Sequence, residues 1–189
     1  METDLAVVHR LAVEGLLGKV EQIGDDQWDL PTPNTEWNVR DLVEHLVGGT
    51  VWVAPLLRGE TIAQIGDRYS GDLVGNDPKG AFRSAAAEAV AAALEPGAME
   101  RTVDLSRGPA PAADYILERI ADAGMHTWDL ARALGIDVTV HPEVVAAGRR
   151  LLAQVGDEWR RHGALGPVVP TEPGADEQTL FIAESGRTP

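Results

Sequence analysis

Asp122 and His126 stand four residues apart in the run ADAGMHTWDL. That spacing puts a carboxylate and an imidazole one turn apart on the same face of a helix. His45 lies much earlier, among Leu42, Leu46, Gly49 and Val53 on the apolar face of another helix, where a histidine must find a partner. Two ligands from one helix and a third from a facing helix is how helical bundles build carboxylate and imidazole sites for divalent ions, leaving further positions to water or substrate. The donor set suits Zn²⁺, and also Ni²⁺ or Fe²⁺; zinc is the expectation here. The spacing is equally open to plainer readings, in which Asp122 pairs with Arg119 or His126 along the helix and His45 donates to a backbone carbonyl.

Other residues near these carry weaker chemistry. Arg119, one turn before Asp122, reads either as an intrahelical ion pair or as the cation that orients a cofactor or substrate carboxylate. Asp129 lies near the Asp122/His126 row and is the nearest candidate for a general base; Glu44 should point away from His45, because helix neighbours diverge by about 100°. Trp52 and Trp128 read first as packing and second as pocket walls. His9 reads as a satisfied structural histidine, His141 as part of a helix start with Pro142, and His162 as a cation near a helix C-terminus.

The elements that must position these groups are legible from periodicity and punctuation. Leu5, Val8, Ala12, Leu16, Val20 and Ile23 recur at helical steps from Asp4 until Gly24 stops them. Pro31 and Pro33 make the next stretch a crossing loop. Asn38 is the N-cap of the second helix with Asp41 at its third position, and Trp37 is placed to close over Leu42 as a staple. This helix runs to Gly59, with Gly48-Gly49 admitting another backbone and Pro55 kinking or restarting it. Residues 60–77 read as a long surface loop.

Asp77-Pro78 opens an alanine-rich helix that reaches about Leu94. TVDLSRGPAPA has a short extended flavour, and then a helix runs from about Ala112 to Leu134 with Gly135 as its cap. His141-Pro142 opens another to about Arg161, and Glu177 to Glu184 reads as a last short helix. With no confident central strand, the expectation is an all-α fold: four main helices with additional short C-terminal helices, in a single domain over 1–189.

Composition excludes more than it identifies. The net charge of −14, from 16 Lys+Arg against 30 Asp+Glu, repels phosphate backbones and anionic membrane faces, so no nucleic acid and no membrane partner is expected. The absence of cysteine rules out disulfides, thiolate zinc sites and a nucleophilic thiol of the chain's own, so a metal must use His, Asp or Glu. Charges at Glu2, Asp4, Arg10, Glu14 and Lys19 break up the N-terminal apolar run, which therefore reads as neither signal peptide nor membrane span, and a cytoplasmic location is expected.

The runs TPNTEWNVRDLVEHLVGGTVW and DAGMHTWDLARALG, with the GRTP ending, resemble actinobacterial proteins similar to the metal-binding domain of mycothiol-dependent maleylpyruvate isomerase, within the DinB/YfiT-like superfamily. The resemblance covers most of the chain. It implies a DinB-like four-helix bundle, with His45, Asp122 and His126 at the ligand positions and mycothiol as an external thiol. Where the isomerase has a glutamate four before its later histidine, this chain has Asp122, one methylene shorter. The isomerase also carries an additional C-terminal domain for which 189 residues leave no room. The implied function is a transferase or isomerase in which the metal activates a small thiol for attack on an electrophile, with maleylpyruvate itself not expected as substrate. A non-catalytic metal- or ligand-binding stress-response module and a metal-dependent hydrolase stand as alternatives, and a homodimer is left open.

Overall fold

The computed structural model describes residues 4–189; Glu2, counted above among the N-terminal charges, lies outside them. Helix α1 (Leu5–Val20) starts where the Asp4 side chain accepts the Ala6 N–H. Helix α2 (Val39–Thr50) starts at the expected Asn38 cap, which closes into a capping box: the Asn38 side chain accepts Asp41 N–H and the Asp41 carboxylate accepts Asn38 N–H. The chain breaks at Val51–Trp52 and restarts as α3 (Val53–Leu57), with Pro55 in its first turn, where a missing N–H leaves no bond unmade.

The stretch 60–77 is not wholly a loop, because Thr61 and Gln64 form a reciprocal cap around the short helix α4 (Ile62–Ile65). Helix α5 (Pro78–Ala93) begins at the Asp77 cap, α6 spans Ala112–Leu134, α7 spans Pro142–Arg161 and α8 spans Glu177–Glu184. Gly135 closes α6 at φ 68°, the left-handed conformation that glycine adopts without steric cost.

The structure is mostly helical, but the all-α expectation needs one correction. Thr102–Leu105 (β1) and Gly108–Pro111 (β2) pair as an antiparallel hairpin. Ser106 and Arg107 form its turn, so Leu105 faces Gly108 as the closing hydrogen-bonded pair. Alternation then puts Pro109 and Pro111 at the non-hydrogen-bonded pairs, where a missing N–H costs the ladder nothing. The Asp104 carboxylate accepts the Ile62 N–H and ties the hairpin to α4.

Helix α1 packs on α5, α6 and α7, while α2 packs on α5 and α6. Leu16, Val20, Leu42, Leu46, Phe82, Ile116, Ile120 and Leu130 fill the space between them. Helix α8 packs on α7, and its Phe181 is fully buried against Gly124 and Gly148; a Cβ on Gly148 would collide with the ring, and one on Gly124 would press on it at 3.2 Å and on Val144 at 2.9 Å. Among the described residues no helix is long and apolar enough to cross a membrane.

Candidate metal centre

Helices α2 and α6 bring His45, Asp122 and His126 together, each offering a ligand atom, with all three atoms within 4.8 Å of one another. One carboxylate oxygen, Asp122 Oδ1, lies 3.7 Å from His45 Nε2 and 3.5 Å from His126 Nε2. The other, Oδ2, takes the Arg119 guanidinium at 3.3 Å, so Asp122 is divided between the cation on its own helix and the two imidazoles.

Behind His126 stands Asp129, with no exposed surface, whose Oδ2 accepts from the His126 Nδ1–H at 2.9 Å. Arg187, from the turn after α8, grips the same carboxylate with two parallel bonds, Nε to Oδ1 and Nη2 to Oδ2, both 2.7 Å. Burial pushes the Asp129 carboxyl up, but the bonds from His126 and Arg187 outweigh it and hold the group below the usual range. Asp129 is therefore a carboxylate that takes the Nδ1 proton of His126 in a hydrogen bond, which leaves Nε2 as the nitrogen turned toward Asp122.

Three ligand atoms thus converge without a hydrogen bond among them. His45 Nε2 is buried and makes no hydrogen bond, and separations of 3.5–3.7 Å exceed hydrogen-bond length. Two ligand atoms bound at about 2.1 Å to one tetrahedral ion stand about 3.4 Å apart, so the spacing fits a shared cation better than direct contact. The proton responds to the same arrangement. Burial lowers the affinity of His126 for it, but Asp122 and Asp129 outweigh burial and push the imidazole up to about 9. Asp122, raised by burial but lowered more by Arg119 and the imidazoles, stays well below the usual carboxylate range.

The cluster opens into a cavity of about 660 Å³ walled by the loop before α2, the end of α7 and the segments 163–166 and 185–187. Trp37, expected to close over Leu42, lies against His45, with ring centroids 4.6 Å apart. Trp159 lines the far wall. Trp52 and Trp128 are absent from this lining: Trp52 meets the Tyr69 ring edge-on and Trp128 is buried under Arg132, so both pack.

Three further expectations are corrected. Gly49 faces the Arg119 side chain rather than another backbone, since a Cβ there would lie 2.9 Å from Arg119 Nη1, and Gly48 faces nothing within 4 Å. His9 is buried, but its Nδ1 has no hydrogen-bond partner. Burial, helped by the charge of Arg119, lowers it to about 4. Asp129 is committed to His126 and Arg187 and is no base for water, while Glu44 is exposed, as its helical phase requires. Arg119 stands beside the cluster, paired to Asp122, with its Nε buried and unpartnered. Arg187 was invisible to local reasoning; the GRTP ending signalled family likeness but not a role.

Two imidazoles and a carboxylate gathered at the wall of an open cavity are a donor set that could hold a metal ion. The chain belongs to the family of the mycothiol maleylpyruvate isomerase N-terminal domain, which matches residues 9–131 and so includes His45, Asp122, His126 and Asp129. Two uncharacterized proteins of Mycobacterium tuberculosis, from strains CDC 1551 / Oshkosh and ATCC 25618 / H37Rv, are each 30% identical to it over 196 residues, covering 97% of this chain and 100% of theirs. No solved structure matches the chain.

Proposed function

We propose that His45, Asp122 and His126 hold a divalent metal, zinc on the chemistry of the donors, and that the adjoining cavity takes a small thiol, mycothiol, for transfer to or isomerisation of an electrophilic substrate. The observation that carries this reading is the convergence of three ligand atoms within 4.8 Å beside a cavity of about 660 Å³. The ring of contacts α1–α5–α2–α6–α1 supports reading the scaffold as a DinB-like four-helix bundle in one domain, with α7 and α8 added outside it. Nickel or iron would suit the same donors.

When bound, such a metal supplies Lewis-acid lowering of a ligand's pKa, which favours a thiolate over a thiol near neutral pH. The chain's residues do the rest. Asp129 holds the His126 ring with Nε2 forward, and Trp37 leans on the His45 ring and limits its swing. Arg119 neutralises one oxygen of Asp122 and stands at the cavity wall, where it is placed to receive a carboxylate of the thiol or of the substrate. The chain has no cysteine, so the sulfur must come from the cofactor.

A calorimetric titration of the metal-loaded protein with mycothiol tests this reading. Binding should release a proton and tighten as pH rises, because the thiolate is the coordinating species, and the analogue with oxygen in place of sulfur should bind at least tenfold more weakly. A metal-loaded protein that ignores mycothiol and other small thiols at millimolar concentration would remove the thiol chemistry and leave a metal-binding module.

A further inference from the structure

Arg187 is 58 residues from Asp129 and lies beyond residue 131, where the family match ends. We propose that it is a positioning residue for the metal centre: its two-pronged grip on Asp129 fixes His126, so that docking of the C-terminal segment and competence to bind metal are one event. The proposal rests on reading His45, Asp122 and His126 as a metal site.

The geometry forms a chain of fixed orientations. A planar guanidinium bound through two N–H groups sets the plane of the carboxylate, and the carboxylate sets the rotation of the imidazole whose Nε2 faces the cluster. Arg187 is itself held from behind, since its Nη1 donates to the Ser185 carbonyl and hydroxyl, both at 3.2 Å, and reaches Met125 Sδ at 3.6 Å. Nearly all of its donors are therefore spent inward, which separates it from Arg119 as a candidate for binding anions in the cavity.

Asp129 Oδ1 accepts from Arg187 alone among the described residues. Without the fork, a buried carboxylate would keep only its bond to His126, and nothing would fix its plane. Lysine cannot replace this grip, because an ammonium supplies charge without the paired N–H geometry. Helix α8 delivers the arginine: Phe181, seated against Gly124 and Gly148, anchors the helix whose following turn carries Ser185 and Arg187.

The test uses the full chain, stripped of metal and titrated with Co²⁺, whose visible absorption reports both affinity and ligand geometry. Arg187→Lys should stay helical by circular dichroism, bind Co²⁺ between 10- and 100-fold more weakly, and give an altered visible spectrum. Should the lysine variant not fold, the paired substitution Asp129→Leu with Arg187→Met, which removes both buried charges together, takes its place with the same expected loss. Wild-type affinity and spectrum in whichever variant folds would overturn the proposal, while loss of Co²⁺ in His126→Ala would still stand for the metal site. A wild-type protein that binds no Co²⁺ would remove the metal site and this proposal with it.

Discussion

At the scale of single residues the site is a competition among charges for one small volume. Asp122 serves Arg119 with one oxygen and two imidazoles with the other, and Asp129 serves His126 and Arg187. His9 is the titratable group beneath this cluster that has no counter-charge of its own. It shares a cavity of about 20 Å³ with Arg119 and Asp122, and its imidazole is driven down to about 4 by burial and by the cation of Arg119. Between that value and about 6.5 the unfolded chain binds the proton that the folded protein refuses. Stability therefore rises with pH across that window, and up to about 3 kcal/mol is lost as pH falls from 6.5 to 4. Urea unfolding at pH 7, 5.5 and 4.5 should show this slope in the wild type and a flatter one in His9→Gln; equal slopes would assign the acid loss to other groups.

The Asp122/His126 row and the inward face of His45 were legible because i, i+4 spacing and an apolar face are local signals. Asp129 was legible only as an acid near the row, since its partner Arg187 comes from the other end of the chain and such pairing leaves no periodic trace. The unpartnered Nδ1 of His9 was likewise hidden, because burial could be read from the helix face but hydrogen bonding could not.

At the scale of elements, punctuation carried most of the reading. The capped start of α2, the Asp-Pro and His-Pro starts of α5 and α7 and the Gly135 stop of α6 were legible nearly to the residue, whereas α2 ends at Thr50, well short of the expected Gly59. Pro55 announces a restart, which falls just before it at Val51–Trp52, and TVDLSRGPAPA reads as extended, but its pairing into a hairpin is hidden because GPAP reads as a breaker until its register is known. Glycine notches are the least readable feature, because a small residue announces neither which neighbour fills its space nor from where. A Cβ on Gly148 would lie 2.6 Å from Phe181 Cζ, on a fully buried ring. Gly148→Ala should therefore cost about 1–3 kcal/mol by overpacking, seen as a lower urea midpoint, and should loosen α8 with the turn that holds Arg187. An unchanged midpoint would mean that α8 has room to shift.

For the whole molecule, the His45/Asp122/His126 cluster sits at the edge of a core that closes without it. Leu42, Leu46, Ile116, Ile120 and Leu130 are buried in an apolar cluster that includes none of those three residues. Chelation should leave the far-ultraviolet spectrum intact and lower the melting temperature only by the linkage of metal to the folded state, unlike small domains that unfold when zinc is removed. Global unfolding in chelator would make the ion structural and displace the thiol chemistry proposed above.

The central claim is that His45, Asp122 and His126 together hold one divalent ion. Elemental analysis and Zn²⁺ titration of untagged, metal-stripped protein test it most directly. The account predicts one equivalent of metal bound per chain in the wild type and none in a His126→Ala variant that keeps its helical spectrum. A wild-type chain that takes up no divalent metal, or a folded His126→Ala that takes up as much as the wild type, would contradict it.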